Sequence, residues 1–327
     1  MLSDGAVILF PGALGDFICF LPALCGLRRR HRDRLLLVAQ PALLGLITLP
    51  HMATASIDRR EIADLFADAP LAADTRRLLG GFTTVYSWTG AGNPEFARRL
   101  QIASGGEVHV YPFRGMQPGQ HAAAYYAQCV GVVPDTVAAE IIAEDRDWWA
   151  RFRDQHALGN RRLLVVHPGS GSRRKNWQGF DAFCRQWRAR YDDAIAALYG
   201  PAEAEHRLGC PADVVVSDVS LPQVASLLRA AALYLGNDSG VSHLAAALGA
   251  RGVVLFGPSD PAVWAPRAPA IHVFHVAQTC ARCGPDVFCV HRLAVTSVVD
   301  ALTRQRREIS TSGAVPPHVA GGGTPPR

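Results

Sequence analysis

Residues 233–250 read Leu233-Tyr234-Leu235-Gly236-Asn237-Asp238-Ser239-Gly240-Val241-Ser242-His243-Leu244-Ala245-Ala246-Ala247-Leu248-Gly249-Ala250. The apolar start is typical of a buried strand, the small polar middle of a loop, and the alanine-rich end of a helix. A helix start leaves backbone N–H groups unpaired at the positive end of its dipole, so this junction is suited to binding a phosphate. Gly236 and Gly240 would let the backbone approach a ligand closely. Ser239 adds a hydroxyl, and His243 lies over the same helix face.

Each polar residue of this junction also has a purely structural interpretation. Asp238 and Ser239 are residue types that cap helices, and His243 could be a core histidine with satisfied hydrogen bonds. Taken alone, the junction favours the structural interpretation. A functional interpretation therefore depends on other segments of the chain.

The composition is that of a globular protein. The chain has 327 residues, of which 49% are hydrophobic and 19% charged, enough for buried cores and about two domains. No apolar run reaches the roughly 18 uncharged residues that a membrane span needs. Residues 1–5 lack the basic start and cleavage site of a secretory signal. We therefore expect a cytoplasmic enzyme.

Apolar strand-like segments alternate with helix-like segments along most of the chain. A strand predicted at residues 7–10 is followed by a helix at 17–27, and after a charged, aromatic helix near residues 145–158 a second series of strands begins at 163. This alternation predicts an α/β fold of parallel βαβ units in two doubly wound lobes with a cleft between them. The predicted division is an N-terminal lobe at 1–155, a C-terminal lobe at 156–310, and a Pro- and Gly-rich disordered tail at 311–327.

The net charge of +5 is mild but uneven. Residues 28–34, the arginine cluster, hold five arginines and His31. Cations are favoured near the C-terminal end of a helix, so the cluster is typical of a solvated helix end. A second interpretation is contact with acidic lipid headgroups or a negatively charged acceptor. Nucleic acid is not an expected partner, because no known binding motif accompanies the basic residues.

Eight cysteines are present, most of them scattered in apolar or helical segments, as in proteins of a reducing compartment. The exception is the group of Cys280, Cys283, Cys289 and His291, which offers four possible zinc ligands within twelve residues. One residue separates Cys289 from His291, which is tight spacing for two ligands of one tetrahedral ion. We expect an ordered loop without metal, and a disulfide is an open alternative.

Polar segments follow several of the predicted strands, at the sheet edge where ligands of doubly wound folds bind. Gly12-Ala13-Leu14-Gly15-Asp16 resembles a dinucleotide-binding fingerprint that lacks its third glycine. Asp16 could cap the next helix or act as a general base in a cleft.

Two more such segments lie in the second half. Residues 167–177 form a Gly/Ser loop with Ser170 and three successive cations ending at Lys175. The loop is suited to holding phosphate oxygens, although a solvated basic loop is the simpler interpretation. Glu203 follows another strand, where its carboxylate could reach a ribose hydroxyl.

Taken in order, these segments resemble glycosyltransferase family nine, the heptosyltransferase family of lipopolysaccharide core assembly. The matching motifs are Gly-x-x-Gly-Asp, His-Pro-Gly-Ser with Lys-x-Trp, Gly-Pro-x-Glu, Gly-Asn-Asp-Ser-Gly-x-x-His-Leu-Ala-Ala-Ala and Phe-Gly-Pro-Ser-Asp. The resemblance implies the GT-B fold, in which two Rossmann-like lobes face a cleft. It also implies that the N-terminal lobe mainly holds the acceptor and that the C-terminal lobe holds the nucleotide sugar.

The same resemblance implies an inverting transfer that needs no metal or other cofactor. Asp16 matches the family's proposed catalytic base, and Lys175 matches the lysine that stabilises the departing nucleoside diphosphate. Glu203 matches a carboxylate that holds the ribose. The other positions that the resemblance assigns are Gly12 and Gly15 in the acceptor-side loop, and Ser170, Asp238, Ser239, Gly240 and His243 at the donor.

Two departures from the family pattern concern the donor sugar. Ser239 stands where threonine is common, and the Gly169-Ser170 loop differs from the paired-threonine form of some heptosyltransferases. The leading hypothesis is transfer of a heptose from an ADP-activated donor to a lipopolysaccharide core or related acceptor, a glycolipid or oligosaccharide for which the arginine cluster suggests an acidic character. The alternatives are transfer of another nucleotide sugar or to another acceptor, and a nucleotide-sugar-binding protein without turnover.

A nicotinamide-dependent dehydrogenase is a weaker hypothesis. The third glycine of its fingerprint is missing, and Ala39-Gln40-Pro41 ends the second predicted strand without an acidic residue. Asp16 and Lys175 count against an inactive binding protein, because both chemical roles remain occupied. The expected location is the cytoplasm, with peripheral contact at the inner membrane as a further expectation.

Overall fold

The computed structural model describes residues 3–133, 141–200, 209–276, 279–280 and 284–311. Its first sheet has five parallel strands in the spatial order β3-β2-β1-β4-β5. They are β1 (Ser3–Leu9), β2 (Arg34–Ala39), β3 (Met52–Ser56), β4 (Phe82–Ser87) and β5 (Glu107–Val110). The helices of this part are α1 (Leu14–Arg30), α2 (Arg60–Ala63), α3 (Ala73–Leu79), α4 (Pro94–Ser104) and α5 (Ala122–Cys129).

The second sheet has six parallel strands in the order β11-β10-β9-β6-β7-β8. They are β6 (Leu163–His167), β7 (Ala194–Leu198), β8 (Val214–Val216), β9 (Leu233–Asn237), β10 (Gly252–Phe256) and β11 (Ile271–His275). The helices are α6 (Arg146–Gln155), α7 (Phe180–Arg188), α8 (Leu221–Ala230), α9 (Gly240–Ala247), α10 (Pro261–Trp264) and α11 (Val295–Thr311). A small antiparallel pair, β12 (Thr279–Cys280) and β13 (Gly284–Phe288), follows β11.

Both sheets are covered on two faces, which explains their continuous apolar strands. All five residues of β6, β7, β9 and β10 are buried. In β1, Ile8 packs into one hydrophobic cluster, while Val7 and Leu9 on the opposite face pack into another. The Ile8 cluster also contains Phe17 of α1 and Leu244 of α9, so the two halves of the molecule share a continuous core.

The predicted α/β fold of two parallel, doubly wound sheets is confirmed. The helix predicted at 17–27 is longer, since α1 begins at Leu14 and ends at Arg30. Sequence reasoning missed β3, a short edge strand in which only Ala55 is buried, and α11, whose buried face includes Val298 and Leu302. The lobe boundary at 155/156 stays a prediction, and the predicted tail from residue 312 onward lies outside the described residues.

The arginine cluster lies at the C-terminal end of α1, and its helix-end interpretation agrees with the contacts made there. Arg28 donates hydrogen bonds to the carbonyl oxygens of Pro50, His31 and Arg32 at 2.7–2.8 Å. The Arg34 guanidinium lies 3.8 Å from the centre of the Phe82 ring. Within the described ranges, no helix is both long enough and apolar enough to cross a membrane.

Candidate active site

The junction between β9 and α9 is a helix start fixed by buried hydrogen bonds. Ser239 is the N-cap residue, and its hydroxyl accepts from the Ser242 backbone N–H at 3.3 Å. The Ser242 hydroxyl donates to the Asn237 carbonyl oxygen at 2.5 Å and therefore accepts from Tyr234 at 2.9 Å. The capping interpretation is thus correct locally. The first N–H groups of α9, at Gly240 and Val241, point outward along the helix axis as helix geometry requires.

Gly236 also has a structural role that sequence reasoning did not predict. A Cβ atom at this position would collide with the Tyr234 hydroxyl and lie 3.0 Å from the Ser242 hydroxyl oxygen. Gly236 is therefore needed to pack the buried Tyr234, and the expectation that it lets a ligand approach stays a prediction.

Asn237 ties the end of β9 to the loop after β6. Its side-chain oxygen accepts from the Trp177 backbone N–H at 3.1 Å, and its amide nitrogen donates to the Pro168 carbonyl oxygen at 2.6 Å. The Trp177 ring is buried, and its N–H donates to the Leu293 carbonyl oxygen. Both ends of the basic loop are therefore held against β9.

Within this loop, Lys175 forms an ion pair with Asp238. The Lys175 Nζ atom lies 2.7 Å from Asp238 Oδ2, and the Asp238 side chain is 6% exposed against 31% for Lys175. The Ser170 hydroxyl lies 2.6 Å from Asn176 Oδ1 and 2.7 Å from the Ser172 carbonyl oxygen. Ser170 thus helps to shape the loop, while Lys175 presents its charge at the carboxyl edge of the second sheet.

Asp16 lies in the first turn of α1 at the carboxyl edge of the first sheet. Its carboxylate is largely buried, and the Arg114 guanidinium approaches Oδ2 at 3.2 Å. Gly12 is required beside it, because a Cβ atom there would lie 2.7 Å from the Asp16 Cβ. The Arg114 guanidinium lies between the rings of Phe113 and Trp264, at 5.3 and 5.4 Å, and Trp264 belongs to α10 of the other half.

The two helix starts meet face to face. A Cβ atom at Gly15 would lie 3.4 Å from the Gly240 Cα and 3.4 Å from the His243 ring. A second contact between the halves comes from His121, whose Nδ1 accepts from the Ala123 N–H. Its Nε2 therefore carries the proton and donates to the Ala265 carbonyl oxygen at 2.9 Å. The residues expected on either side of the cleft are thus adjacent.

His243 and Cys19 lie at this contact. His243 Nδ1 is 3.7 Å from Cys19 Sγ. Burial lowers the pKa of His243 to about 4, with the nearby Lys175 ammonium and the His121 side chain adding to the lowering and the Asp238 carboxylate opposing it. Burial, with smaller contributions from Asp16 and Asp238, raises the pKa of Cys19 to about 12. Both side chains are therefore neutral near pH 7.

The structure thus brings together most of the predicted site residues, from Gly12, Gly15 and Asp16 on one side to Ser170, Lys175, Asp238, Ser239, Gly240 and His243 on the other. Glu203 lies outside the described residues. Sequence reasoning missed Arg114 and Trp264. An aromatic residue followed by arginine after a predicted strand, Phe113-Arg114, was the available signal.

The cysteine-rich loop is only partly described. Cys283 lies outside the described residues, and of this group Cys289 is buried. Among the described residues, no set of three or more His, Cys, Asp or Glu side chains is placed to hold a metal ion. The expectation for Cys280, Cys283, Cys289 and His291 therefore stays a prediction.

Comparison with known proteins agrees with this arrangement. Residues 140–287 match the model of glycosyltransferase family 9 (heptosyltransferase). The lipopolysaccharide heptosyltransferase 3 of Escherichia coli is 28% identical over 131 residues, which are 36% of this chain and 38% of that relative. The chain thus spans less than two fifths of the length of the curated relative that it matches.

Solved structures extend the likeness to nearly the whole chain. A glycosyltransferase family 9 protein from Veillonella parvula superimposes with a TM-score of 0.71 at 17% identity, covering 94% of this chain and 99% of that one. The E. coli ADP-heptose lipopolysaccharide heptosyltransferase II gives a TM-score of 0.68 at 15% identity with the same coverage. The second half of the chain is therefore similar to glycosyltransferase family 9, and the chain has the GT-B fold of the solved heptosyltransferases.

Proposed function

We propose that this protein is an inverting glycosyltransferase that moves a heptose from an ADP-activated donor to a lipopolysaccharide core or related acceptor. The observation that carries the proposal is the juxtaposition of Asp16 with the start of α9 and the Lys175–Asp238 pair. This contact places a carboxylate of one lobe opposite cations and helix N–H groups of the other. A base and a diphosphate site are the two parts that such a transfer needs.

On the donor side, the proposed site stabilises the negative charge of the departing diphosphate. A sugar diphosphate gains negative charge on its leaving oxygen as the bond to the sugar breaks, and helix N–H groups and an ammonium stabilise that charge. Lys175 lies 2.7 Å from Asp238, and a diphosphate at the start of α9 would share its ammonium. Ser239 and Gly240 supply the helix start, and the neutral His243 adds no further charge.

On the acceptor side, Asp16 is the proposed general base. In the proposed step the acceptor hydroxyl oxygen forms a bond to the anomeric carbon while the carbon–oxygen bond to the diphosphate breaks. Asp16 takes the hydroxyl proton, and the diphosphate leaves with the electron pair from the opposite face, so the anomeric configuration inverts. Arg114, 3.2 Å from the carboxylate, would hold Asp16 in one orientation during the attack.

No metal or cofactor has a step in this proposal, because the helix start and Lys175 neutralise the leaving group. Glu203 is proposed to hold the ribose on the strength of the family resemblance, and Gly12 and Gly15 to form the acceptor-side loop. The proposed location is the cytoplasm with peripheral contact at the inner membrane. The arginine cluster lies at the opposite end of α1 from Asp16, about 20 Å away along the helix, so a membrane contact there would leave the cleft open.

The test is a donor panel. The purified protein is incubated with ADP-, UDP- and GDP-sugars and a truncated lipopolysaccharide core, and the released nucleoside diphosphate is measured. We expect release with ADP-heptose only, a product anomer opposite to the donor anomer by NMR, and unchanged rates in EDTA. Asp16→Asn is the inactive control, expected to bind donor without releasing diphosphate.

Other outcomes separate the alternatives. Release with a UDP- or GDP-sugar instead would support the same fold with another donor. Saturable donor binding without release, with any acceptor, would support a nucleotide-sugar-binding protein. Loss of activity in EDTA would contradict metal independence.

A further inference from the structure

A cavity of about 440 Å³ lies at the opposite end of the second sheet from the candidate active site. Its floor includes Leu163 and Ala194, the first residues of β6 and β7. The active-site loops follow the last residues of β6 and β9, so the whole length of the strands separates the two places. The cavity volume is within the range of about 300–1,000 Å³ that is typical of small-molecule sites.

The cavity exists because α6 does not fill the space beneath it. None of the ten residues of α6 is fully buried in the described part of the chain, although Trp148, Trp149 and Phe152 are large and apolar. Trp149 lines the cavity together with Leu158 and Ala230. These side chains offer an apolar wall to a ligand.

The rim is basic. Arg146, Arg153, Arg161 and Arg229 line the cavity, whereas Glu144 is the single carboxylate among its lining residues. Glu144 pairs with Arg229 at 3.2 Å and with Arg146 at 3.5 Å. Arg153 and Arg161 pair with Asp154 and Asp213, which lie outside the lining. Because a guanidinium has five N–H donors, each of these arginines can bind an anion while keeping its carboxylate.

Ser226 lies in the wall of the cavity and has a hydroxyl that is unpartnered within the described ranges. Its side chain lines the cavity and is 3% exposed, yet its hydroxyl has no hydrogen-bond partner among the described residues. Buried hydroxyls in folded proteins nearly always have a partner. The hydroxyl oxygen is shielded in this conformation, so a ligand could reach it only after the Ser226 side chain turned toward the cavity.

We propose that this cavity binds a small amphipathic anion, an apolar body that carries one carboxylate or phosphate group. The apolar body lies against Trp149 and Leu158, and the anionic group lies at the arginine rim. The site is separate from the proposed transfer site and does not depend on glycosyl transfer. It lies beside the connection between the lobes, because Glu144 closely follows the bridge between Ile142 and Ile47.

The test is calorimetric titration of the full-length protein with three probes. We expect saturable binding of 2-naphthoate and weaker binding of the neutral 2-naphthol, by up to about fivefold, since exposed charge pairs contribute up to about 1 kcal/mol. The affinity of decanoate, compared with that of 2-naphthoate, shows whether the cavity prefers a flexible fatty acid or a rigid aromatic acid. ADP should not displace the probe.

Three variants locate the binding. Arg146→Gln with Arg153→Gln should weaken 2-naphthoate about fivefold, whereas Arg151→Gln, on the same helix but outside the lining, should leave it unchanged. Ala230→Leu, which adds volume inside the cavity, should abolish binding without lowering the melting temperature. The proposal is overturned if the wild type gives no saturable heat with either acid. Equal binding of 2-naphthol, displacement by ADP, or unchanged binding in Ala230→Leu would also overturn it.

Discussion

Gly240 lies so close to Gly15 that a Cβ atom on Gly240 would stand 2.8 Å from the Gly15 backbone nitrogen. The same atom would lie 2.8 Å from the Leu14 Cβ. The starts of α1 and α9 therefore touch through their backbones, and this contact sets the distance between Asp16 and the start of α9, where we propose the diphosphate binds.

We expect Gly240→Ala to separate the two helix starts. The added methyl group meets backbone on α1, which cannot rotate away, so the free energy of unfolding should fall by about 1–3 kcal/mol. Transfer activity should fall as well, because Asp16 moves with α1. The measurement is urea unfolding beside a rate assay. Gly45→Ala is the control, since a Cβ there meets no described atom within 4 Å; equal behaviour of the two variants would contradict the contact.

Asp16→Asn keeps the shape of the side chain and removes the proposed base. We expect the transfer rate at saturating substrates to fall about 10²- to 10⁴-fold, the usual contribution of a general base. Donor affinity should stay within about twofold, because the proposed diphosphate site is on the other lobe. Single-turnover rates and donor titration measure the two effects. A wild-type rate at saturating acceptor would show that Asp16 is not the base.

The sequence predicts much of this site because its main residues follow strands. Asp16, Lys175 and Asp238 each come shortly after an apolar segment, and the carboxyl ends of parallel strands share one edge. Arg114 could not be found in this way, because it is 98 residues from Asp16 and belongs to no motif. Its pairing depends on how the loop after β5 is packed against Trp264, a contact between the halves that local pattern does not encode.

The edge strand β3 could not be predicted from the sequence either. In β3 only Ala55 is buried, so the strand has neither an apolar run nor a regular alternation. Its place depends on hydrogen bonds to β2, from Leu35 opposite Met52 to Ala39 opposite Ser56. The packing role of Gly236 was missed for a similar reason, since the Tyr234 side chain that fills the space beside it is found there only in the folded chain.

Lys175→Ala tests the diphosphate end of the site. We expect a loss of transfer rate of about 10²- to 10³-fold, comparable to the loss of one charge-stabilising donor in other enzymes. Donor affinity should fall too, and the buried Asp238 carboxylate would lose its cation. Steady-state kinetics and ADP titration measure these effects. Arg174→Ala is the matched control on an exposed neighbouring cation, and a comparable loss there would assign the effect to the general charge of the loop.

His243 predicts how stability depends on pH. Burial lowers its pKa from 6.5 to about 4 in the folded protein, so between these values the unfolded chain takes up a proton that the folded chain does not. The free energy of unfolding should therefore fall as the pH falls from 6.5 to 4, and this contribution should level off below pH 4. Between pH 7.5 and pH 5 the loss attributable to His243 is about 2 kcal/mol.

The measurement is urea unfolding of the wild type and His243→Gln at both pH values. The variant cannot take up this proton in either state, so its stability should change by about 2 kcal/mol less than that of the wild type over this interval. His51→Asn removes an exposed histidine and should keep the wild-type dependence. If His243→Gln and the wild type lose the same free energy on acidification, then His243 takes up its proton equally in the folded and unfolded chains. The conclusion that His243 is neutral at the contact between α1 and α9 would then be wrong.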